Sequence, residues 1–190
     1  MLQDLPHKML FDDSLAAIVR LKIGSISVIV DDAMMKVWDI DRSTLFRDAH
    51  KSHEKILHPI FDNIISIYDD IPEKYRLYIF TNKELIYGAS SMMFPRNFEA
   101  LADKVGTDLY ILPSSIDEVL AITVDIGKAD DVMDLVRNVN LSCLPIEKQL
   151  SDDVFVYDRE KKAIMTIDKY NDLHDIDSDE SDNVLPFHRR

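Results

Sequence analysis

The chain has 190 residues, and its hydrophobic fraction of 46% is sufficient for the core of a globular protein. Its 35 acidic residues outnumber its 22 basic residues, so the formal net charge is −13. This charge disfavours a general nucleic-acid-binding protein and a protein that binds anionic membranes, because both classes need clustered lysine and arginine.

The first predicted elements are a β-hairpin and the start of a helix. Residues 15–23 and 25–30 are rich in apolar and β-branched side chains, and Gly24 stands between them, as in a hairpin with a tight turn. Asp31 or Asp32 is suited to cap the short helix that follows, because an aspartate oxygen accepts hydrogen bonds from the first free amides of a helix.

A longer helix is predicted over residues 42–57, with Asp41 as its cap. His50 and His53 lie three residues apart on this helix, and side chains at that spacing can reach one metal ion. Their order, His-x-x-His-Glu, matches neither zinc-protease helix motif, and imidazoles at helical spacing are common without metal. We therefore predict no metal site on this helix.

The densest set of consistent local signals lies between residues 77 and 123. Gly88 interrupts an apolar run there and indicates a bulge or a close approach by another backbone. Pro95 suits the first position of a helix, and Gly106 suits the left-handed residue that ends one. The predicted elements are a hairpin of residues 77–80 and 85–87, a helix over residues 94–105, and strands over residues 109–112 and 119–123.

The last third of the chain predicts a helix over residues 129–140, and then a hairpin of residues 154–157 and 163–167. Cys143 is the single cysteine, which excludes an internal disulfide, and we expect it to be a small buried residue. The apolar residues of the helix recur at helical spacing, and those expected to face the core are Val132, Leu135, Val136 and Val139.

This order of elements predicts an α+β fold with a largely antiparallel sheet of hairpins and three to four packed helices. We expect residues 1–167 to form a single α+β domain, because a chain of 190 residues suits one domain better than two. Residues 168–190 are acidic and poor in aromatic side chains, so we expect them to form a disordered tail.

Several short motifs of the chain form a recognisable set. They are Phe80-Thr81-Asn82, Gly88-Ala89, the string DLYILPSSI from Asp108, Glu118-Val119, Val139-Asn140 and the string LSDDVFVYDR from Leu150. In these motifs the chain resembles an uncharacterised bacterial family of the Firmicutes group, a domain of unknown function that carries a Leu-Pro-Ser-Ser string. The resemblance spans residues 15–167 and implies no substrate and no catalytic residue, because the family has no established activity.

The two serines of the Leu-Pro-Ser-Ser string are the first candidates for a site. The string lacks the glycines of a nucleophile elbow, and Ser115 stands three residues before Glu118, which is the spacing of a capping box. The serines therefore suit a structural turn or a ligand-contacting turn better than catalysis. The candidate ligand-binding residues are Asn82, Ser114, Ser115 and Glu118, and no catalytic residue or metal ligand is predicted. The four glycines are too scattered for a phosphate-binding loop, so we predict no cofactor.

From these observations we expect a non-catalytic protein that binds a macromolecular partner. The acidic charge of the chain favours a protein with a basic surface as that partner. Two alternatives stay open. One is a hydrolase of unrecognised type with its site near Ser114 and Glu118, and the other is an acidic protein that mimics nucleic acid. We expect neither direct nucleic-acid binding nor membrane association. The first ten residues lack the basic start and apolar core of a signal peptide, so we expect a cytoplasmic protein.

Overall fold

The chain has two compact units, residues 1–58 and residues 59–190. The structure is a computed structural model that describes residues 5–56, 59–63, 72, 75–113 and 115–174, with the backbone alone for residues 54–56 and 59–63. Each unit has a hydrophobic core of its own. The prediction of one domain over residues 1–167 stays a prediction.

The first unit consists of two antiparallel hairpins and two helices. Its elements are β1 (His7–Leu10), β2 (Leu15–Ile18), β3 (Arg20–Ile23), β4 (Ile26–Ile29), α1 (Asp32–Trp38) and α2 (Arg42–Ile56). The predicted hairpin about Gly24 is present as β3 and β4. The long strand predicted before Gly24 is divided in two. Residues 15–18 form β2 as predicted, but they pair with β1, so their expected pairing across Gly24 is wrong.

Both aspartate caps of the first unit are confirmed. An Asp31 carboxylate oxygen accepts a hydrogen bond from the Met34 amide at 2.8 Å, and an Asp41 oxygen accepts one from the Thr44 amide at 2.7 Å. These contacts satisfy amides that have no partner inside the helix. The buried core beside the helices consists of Val19, Val30, Met35 and Leu45.

The second unit is built on a six-stranded sheet in the order β10-β9-β7-β8-β6-β5, in which every neighbouring pair is antiparallel. Its strands are β5 (Pro59–Asn63), β6 (Tyr78–Asn82), β7 (Leu109–Leu112), β8 (Val119–Thr123), β9 (Phe155–Asp158) and β10 (Ala163–Thr166). Its helices are α3 (Arg96–Val105), α4 (Ala129–Cys143) and α5 (Ile167–His174), with 3₁₀ turns at Gly88–Met93 and Val124–Ile126. The α+β fold class with antiparallel sheets is therefore confirmed.

Helices cover both faces of this sheet. Successive residues of a strand point to opposite sides, so each face of the sheet contributes its own side chains to a core. On one face, Tyr110 and Leu112 of β7 form a core with Val132 and Val136 of α4, and Tyr170 of α5 packs against it. A strand such as β7, which is buried on both faces, reads as a continuous apolar run, and this is why its prediction from sequence succeeds.

The other face is covered by α3, whose position is fixed by aromatic packing. The ring of Phe98 lies 4.3 Å from the ring of Phe80 in β6 and 6.1 Å from the ring of Tyr157 in β9. Phe98 and Leu101 are completely buried, and Gly106 ends the helix with a left-handed φ of 79°. The predicted helix and its terminating glycine are confirmed.

The predicted second strand of the central hairpin is wrong. Leu85 and Tyr87 have positive φ values of 55° and 54°, which a strand does not contain, and the 3₁₀ turn Gly88–Met93 follows them. Strand β6 pairs instead with β5 and β8. Strand β5 occupies residues 59–63, where the sequence shows no clear strand pattern.

Three inward positions predicted on or beside α4 are also wrong. Leu135 and Val139 are 47% and 38% exposed, and Cys143 at the end of the helix is exposed as well. The residues that do face the sheet are Val132, Val136 and Asn140. These three residues are four apart and form one row along the helix. Leu135 and Val139 lie in the adjacent row, at the edge of the surface that packs on the sheet.

The predicted tail begins too early. Residues 167–174 form α5, which packs against the sheet, so the folded part extends beyond residue 167 to at least His174. Residues 175–190 lie outside the described residues, and their disorder stays a prediction.

Candidate functional site

The three predicted site residues that the structure describes, Asn82, Ser115 and Glu118, lie where β6 ends and β8 begins. Phe80 pairs with Val119 across these two strands, so the residues after Phe80 lie beside the residues before Val119. The Thr81 hydroxyl donates a hydrogen bond to the main-chain oxygen of Asp117 at 2.8 Å. We call residues 81–90 and 115–118 the Asp117 corner.

Asp117 is the residue that holds this corner together. One carboxylate oxygen accepts a hydrogen bond from the Tyr87 amide at 3.0 Å, and the other accepts one from the Lys148 ammonium at 2.6 Å. Burial raises the pKa of Asp117, but the hydrogen bonds from Lys148 and Tyr87 outweigh it and hold the pKa below its usual range. Asp117 is therefore ionised and fixed in position at neutral pH.

Asn82 is buried, and both ends of its amide are used within its own turn. Its nitrogen donates to the main-chain oxygen of Ile86 at 2.7 Å, and its oxygen accepts from the Glu84 amide at 2.9 Å. These are the contacts of an asparagine that stabilises a turn. A ligand at this position would have to compete with both bonds.

Ser115 is buried and also serves the backbone. Its hydroxyl oxygen accepts a hydrogen bond from the Asp117 amide at 3.0 Å, and its main chain forms a β-bridge with Gln149. The turn is therefore stabilised by the hydrogen bond from the Asp117 amide to the Ser115 hydroxyl, a contact between residues two apart that is common for serine. The capping box that the spacing of Ser115 and Glu118 suggests is not what stabilises it. Ser114 lies outside the described residues.

Glu118 differs from the other two described candidates. Its side chain is partly buried, and in the described part of the chain no hydrogen bond reaches its carboxylate. Burial raises the pKa of Glu118, and the negative charge of Asp117 raises it further. Of the predicted residues that the structure brings together, Glu118 alone keeps its functional group available.

A second polar cluster was not predicted from the sequence. The carboxylate of Asp158, at the end of β9, is completely buried. One of its oxygens accepts a hydrogen bond from the Lys161 amide at 2.8 Å, and the other lies 3.0 Å from Nε2 of His174. Burial raises the pKa of Asp158, but these contacts outweigh it and lower the pKa below its usual range.

Tyr170 completes this cluster. Its hydroxyl donates to the Asp108 carboxylate at 2.6 Å, and its ring lies 4.4 Å from the ring of His174. The cluster thus fastens α5 to the ends of β7 and β9. A signal for it exists in the sequence, because Ile167, Tyr170 and His174 are spaced three and four apart and share one helix face.

No metal site is found among the described residues, in which no group of three or more histidine, cysteine, aspartate or glutamate side chains could hold an ion. His50 is exposed on α2 and His53 is partly buried there. In the same part of the chain, none of the helices has the length and apolar character needed to cross a membrane.

The chain belongs to a protein family of unknown function, DUF5688, whose model matches residues 1–159. The Asp117 corner, Lys148 and Asp158 lie within the matched region, whereas α5 with Tyr170 and His174 lies beyond it. No curated protein and no solved structure matches the chain.

Proposed function

We propose that this protein is a non-catalytic binding protein whose macromolecular partner presents a basic surface, and that Glu118 in the Asp117 corner contacts that surface. The observation that carries the proposal is the state of the Glu118 carboxylate. It is partly buried, it lies beside the ionised Asp117, and no hydrogen bond reaches it in the described residues. A carboxylate in this state is stabilised by an approaching cation.

The chemistry of the corner favours a lysine or arginine side chain as that cation. Lys148 already neutralises Asp117 at 2.6 Å, so an incoming basic group would act on Glu118, the carboxylate whose pKa is raised. A cation close to Glu118 would favour its ionised form and lower its pKa again. Binding of a basic group and ionisation of Glu118 are therefore expected to reinforce each other.

The charge distribution supports the same class of partner. Residues 59–190 contain 26 acidic and 14 basic residues, a net charge of −12, whereas residues 1–58 contain 9 acidic and 8 basic residues, a net charge of −1. A strongly negative unit accelerates encounters with positively charged partners, and this acceleration decreases as salt is added.

Binding of a lysine-rich synthetic peptide to the full chain tests the proposal directly. The Glu118→Gln variant removes the charge and keeps the shape. Glu160→Gln is the matched control, because it removes one charge from an exposed position in the turn between β9 and β10, at the opposite end of these strands from the Asp117 corner. We expect Glu118→Gln to weaken binding clearly more than Glu160→Gln, and we expect binding by the wild type to weaken with salt. Equal effects of the two substitutions would remove Glu118 from the interface, and an absence of peptide binding at low salt would contradict the proposed function.

We further propose that the protein acts in the bacterial cytoplasm. The resemblance of residues 15–167 to a bacterial family with a Leu-Pro-Ser-Ser string supports this setting, and the presence of one cysteine in 190 residues is typical of a reducing compartment. Fractionation of the native cells with an antibody against the full chain tests it, and recovery in the membrane or secreted fraction would contradict it.

A further inference from the structure

The β3–β4 hairpin of the first unit carries an uninterrupted apolar face. Residues that are paired across an antiparallel hairpin point to the same side, and alternate pairs share one face. Leu21 pairs with Val28 and Ile23 pairs with Ile26, while the Val30 amide donates to the Val19 oxygen at 2.9 Å. We call these three rungs the apolar ladder; its members are Val19, Leu21, Ile23, Ile26, Val28 and Val30.

The ladder changes from buried to exposed along its length. Val19 and Val30 belong to the core of the unit and are only 9% and 1% exposed. Leu21 is partly buried against the same core, whereas Ile23 and Ile26 at the tip are each 64% exposed. The core of the unit therefore covers the base of the ladder and leaves its outer rung in solvent.

Exposed apolar side chains are concentrated in this unit. Seven of the fourteen large apolar side chains that are exposed in the described residues lie within residues 1–58, fewer than a third of the chain. Two of the seven, Ile23 and Ile26, are paired at the tip of the hairpin and therefore lie side by side on one face. Adjacent apolar side chains that are exposed in this way form a candidate interaction surface. The ladder itself carries no charged residue.

We propose that the exposed part of the apolar ladder is a self-association surface, on which the ladder of a second copy of this chain packs in a symmetric dimer. A two-fold contact places the same surface on both sides, so that surface must be complementary to itself. An uncharged apolar ladder meets this requirement. The acidic residues 59–190, with a net charge of −12, would repel their own copy, whereas residues 1–58 carry a net charge of only −1.

This inference is independent of the proposed function, because it concerns a different unit and a different occupant. The two contacts are also distinguished by salt. Added salt screens the repulsion between two chains of charge −13 and strengthens an apolar dimer, whereas it weakens the binding of a basic partner to the Asp117 corner.

Sedimentation equilibrium of the full chain over a range of protein concentrations tests the proposal. We expect a monomer–dimer equilibrium in the wild type that shifts toward dimer as sodium chloride is added. The double variant Ile23→Ser, Ile26→Ser is expected to raise the dissociation constant by about tenfold or more. The control is the double variant Leu141→Ser, Ile146→Ser, which removes two side chains that are each 83% exposed in the other unit and is expected to leave the equilibrium unchanged.

Three results would overturn the proposal. They are a wild-type chain that is monomeric at every concentration and salt, a dimer that the ladder variant leaves intact, and a dimer that salt dissociates. The salt series uses the wild type alone and therefore tests the proposal even if the ladder variant does not fold. A monomeric chain that still binds the lysine-rich peptide would leave the proposed function standing.

Discussion

The main-chain amide of Gly88 donates a hydrogen bond of 3.0 Å to the main-chain oxygen of Asp117, so two turns that are distant in the sequence meet backbone against backbone. A Cβ atom on residue 88 would lie 2.3 Å from that oxygen and 2.7 Å from the Cα of Thr81. Both are backbone atoms, which cannot rotate away as the end of a side chain can. Only glycine fits at this position.

We therefore predict that Gly88→Ala destabilises the protein by about 3 kcal/mol, at the upper end of the usual cost of overpacking. The measurement is the free energy of unfolding from a urea titration. Gly24→Ala is the control, because nothing lies within 4 Å of a Cβ there and the positive φ of 60° alone costs about 1 kcal/mol. Equal losses in the two variants would show that the Gly88–Asp117 contact is looser than the structure has it.

The close approach at Gly88 could be predicted because a glycine inside an apolar run carries its own signal. The same holds for α3, whose two ends are marked by Pro95 and Gly106. The partner of β6 could not be predicted in this way. Residues 85–87 are apolar enough to suggest a local hairpin, but β6 pairs with β8, which begins at Val119 far along the chain. Local patterns do not report such distant pairings.

The candidate site shows the same limit. Asn82, Ser115 and Glu118 could be named because polar residues at strand ends are recognisable in the sequence. The electrostatic state of Glu118 depends on Asp117, and Asp117 is held by an ion pair with Lys148, which is 31 residues away. No local spacing in the sequence reveals that pair. Helix α5 was missed for a different reason. The last residues of the chain are acidic and suggest disorder, and this signal outweighed the helical spacing of Ile167, Tyr170 and His174.

The ion pair of Asp117 and Lys148 leads to a prediction about acid. The folded-state pKa of Asp117 is lower than the ordinary aspartate value of 3.8, so the stabilisation from its ionised form is present above that value and is lost as the pH falls through the folded-state pKa. The Asp117→Asn variant lacks this titration. Between about pH 7 and about pH 3, the wild type should therefore lose more unfolding free energy than Asp117→Asn does.

Urea titrations at the two pH values measure this difference. Asp125→Asn, a substitution at an exposed aspartate, is the control and is expected to follow the wild type at both pH values. If Asp117→Asn loses as much stability in acid as the wild type, the Lys148 and Tyr87 contacts do not depress the pKa of Asp117. At pH 7 the variant should already be less stable than the wild type, because asparagine replaces the carboxylate that Lys148 pairs with.

The last prediction concerns the true end of the folded chain. A chain that ends at Thr166 lacks α5, so the completely buried Asp158 loses the contact with His174, and Tyr110 and its neighbours lose the cover of Ile167 and Tyr170. Asp158 keeps the hydrogen bond from the Lys161 amide, but its second carboxylate oxygen loses its partner, and apolar core surface becomes exposed. We predict a loss of about 3 kcal/mol or more in the unfolding free energy.

A chain that ends at His174 is the matched control, because it keeps α5 with Tyr170 and His174 and removes only residues 175–190. The acidic composition of those residues predicts a tail that adds little to stability, so this chain should lie within about 0.5 kcal/mol of the full length. Urea titration of the three lengths separates the possibilities. Equal stability of the chains ending at Thr166 and His174 would show that α5 does not hold the sheet, and the boundary predicted at residue 167 would then be correct. A large loss in the chain ending at His174 would instead give residues 175–190 a structural role.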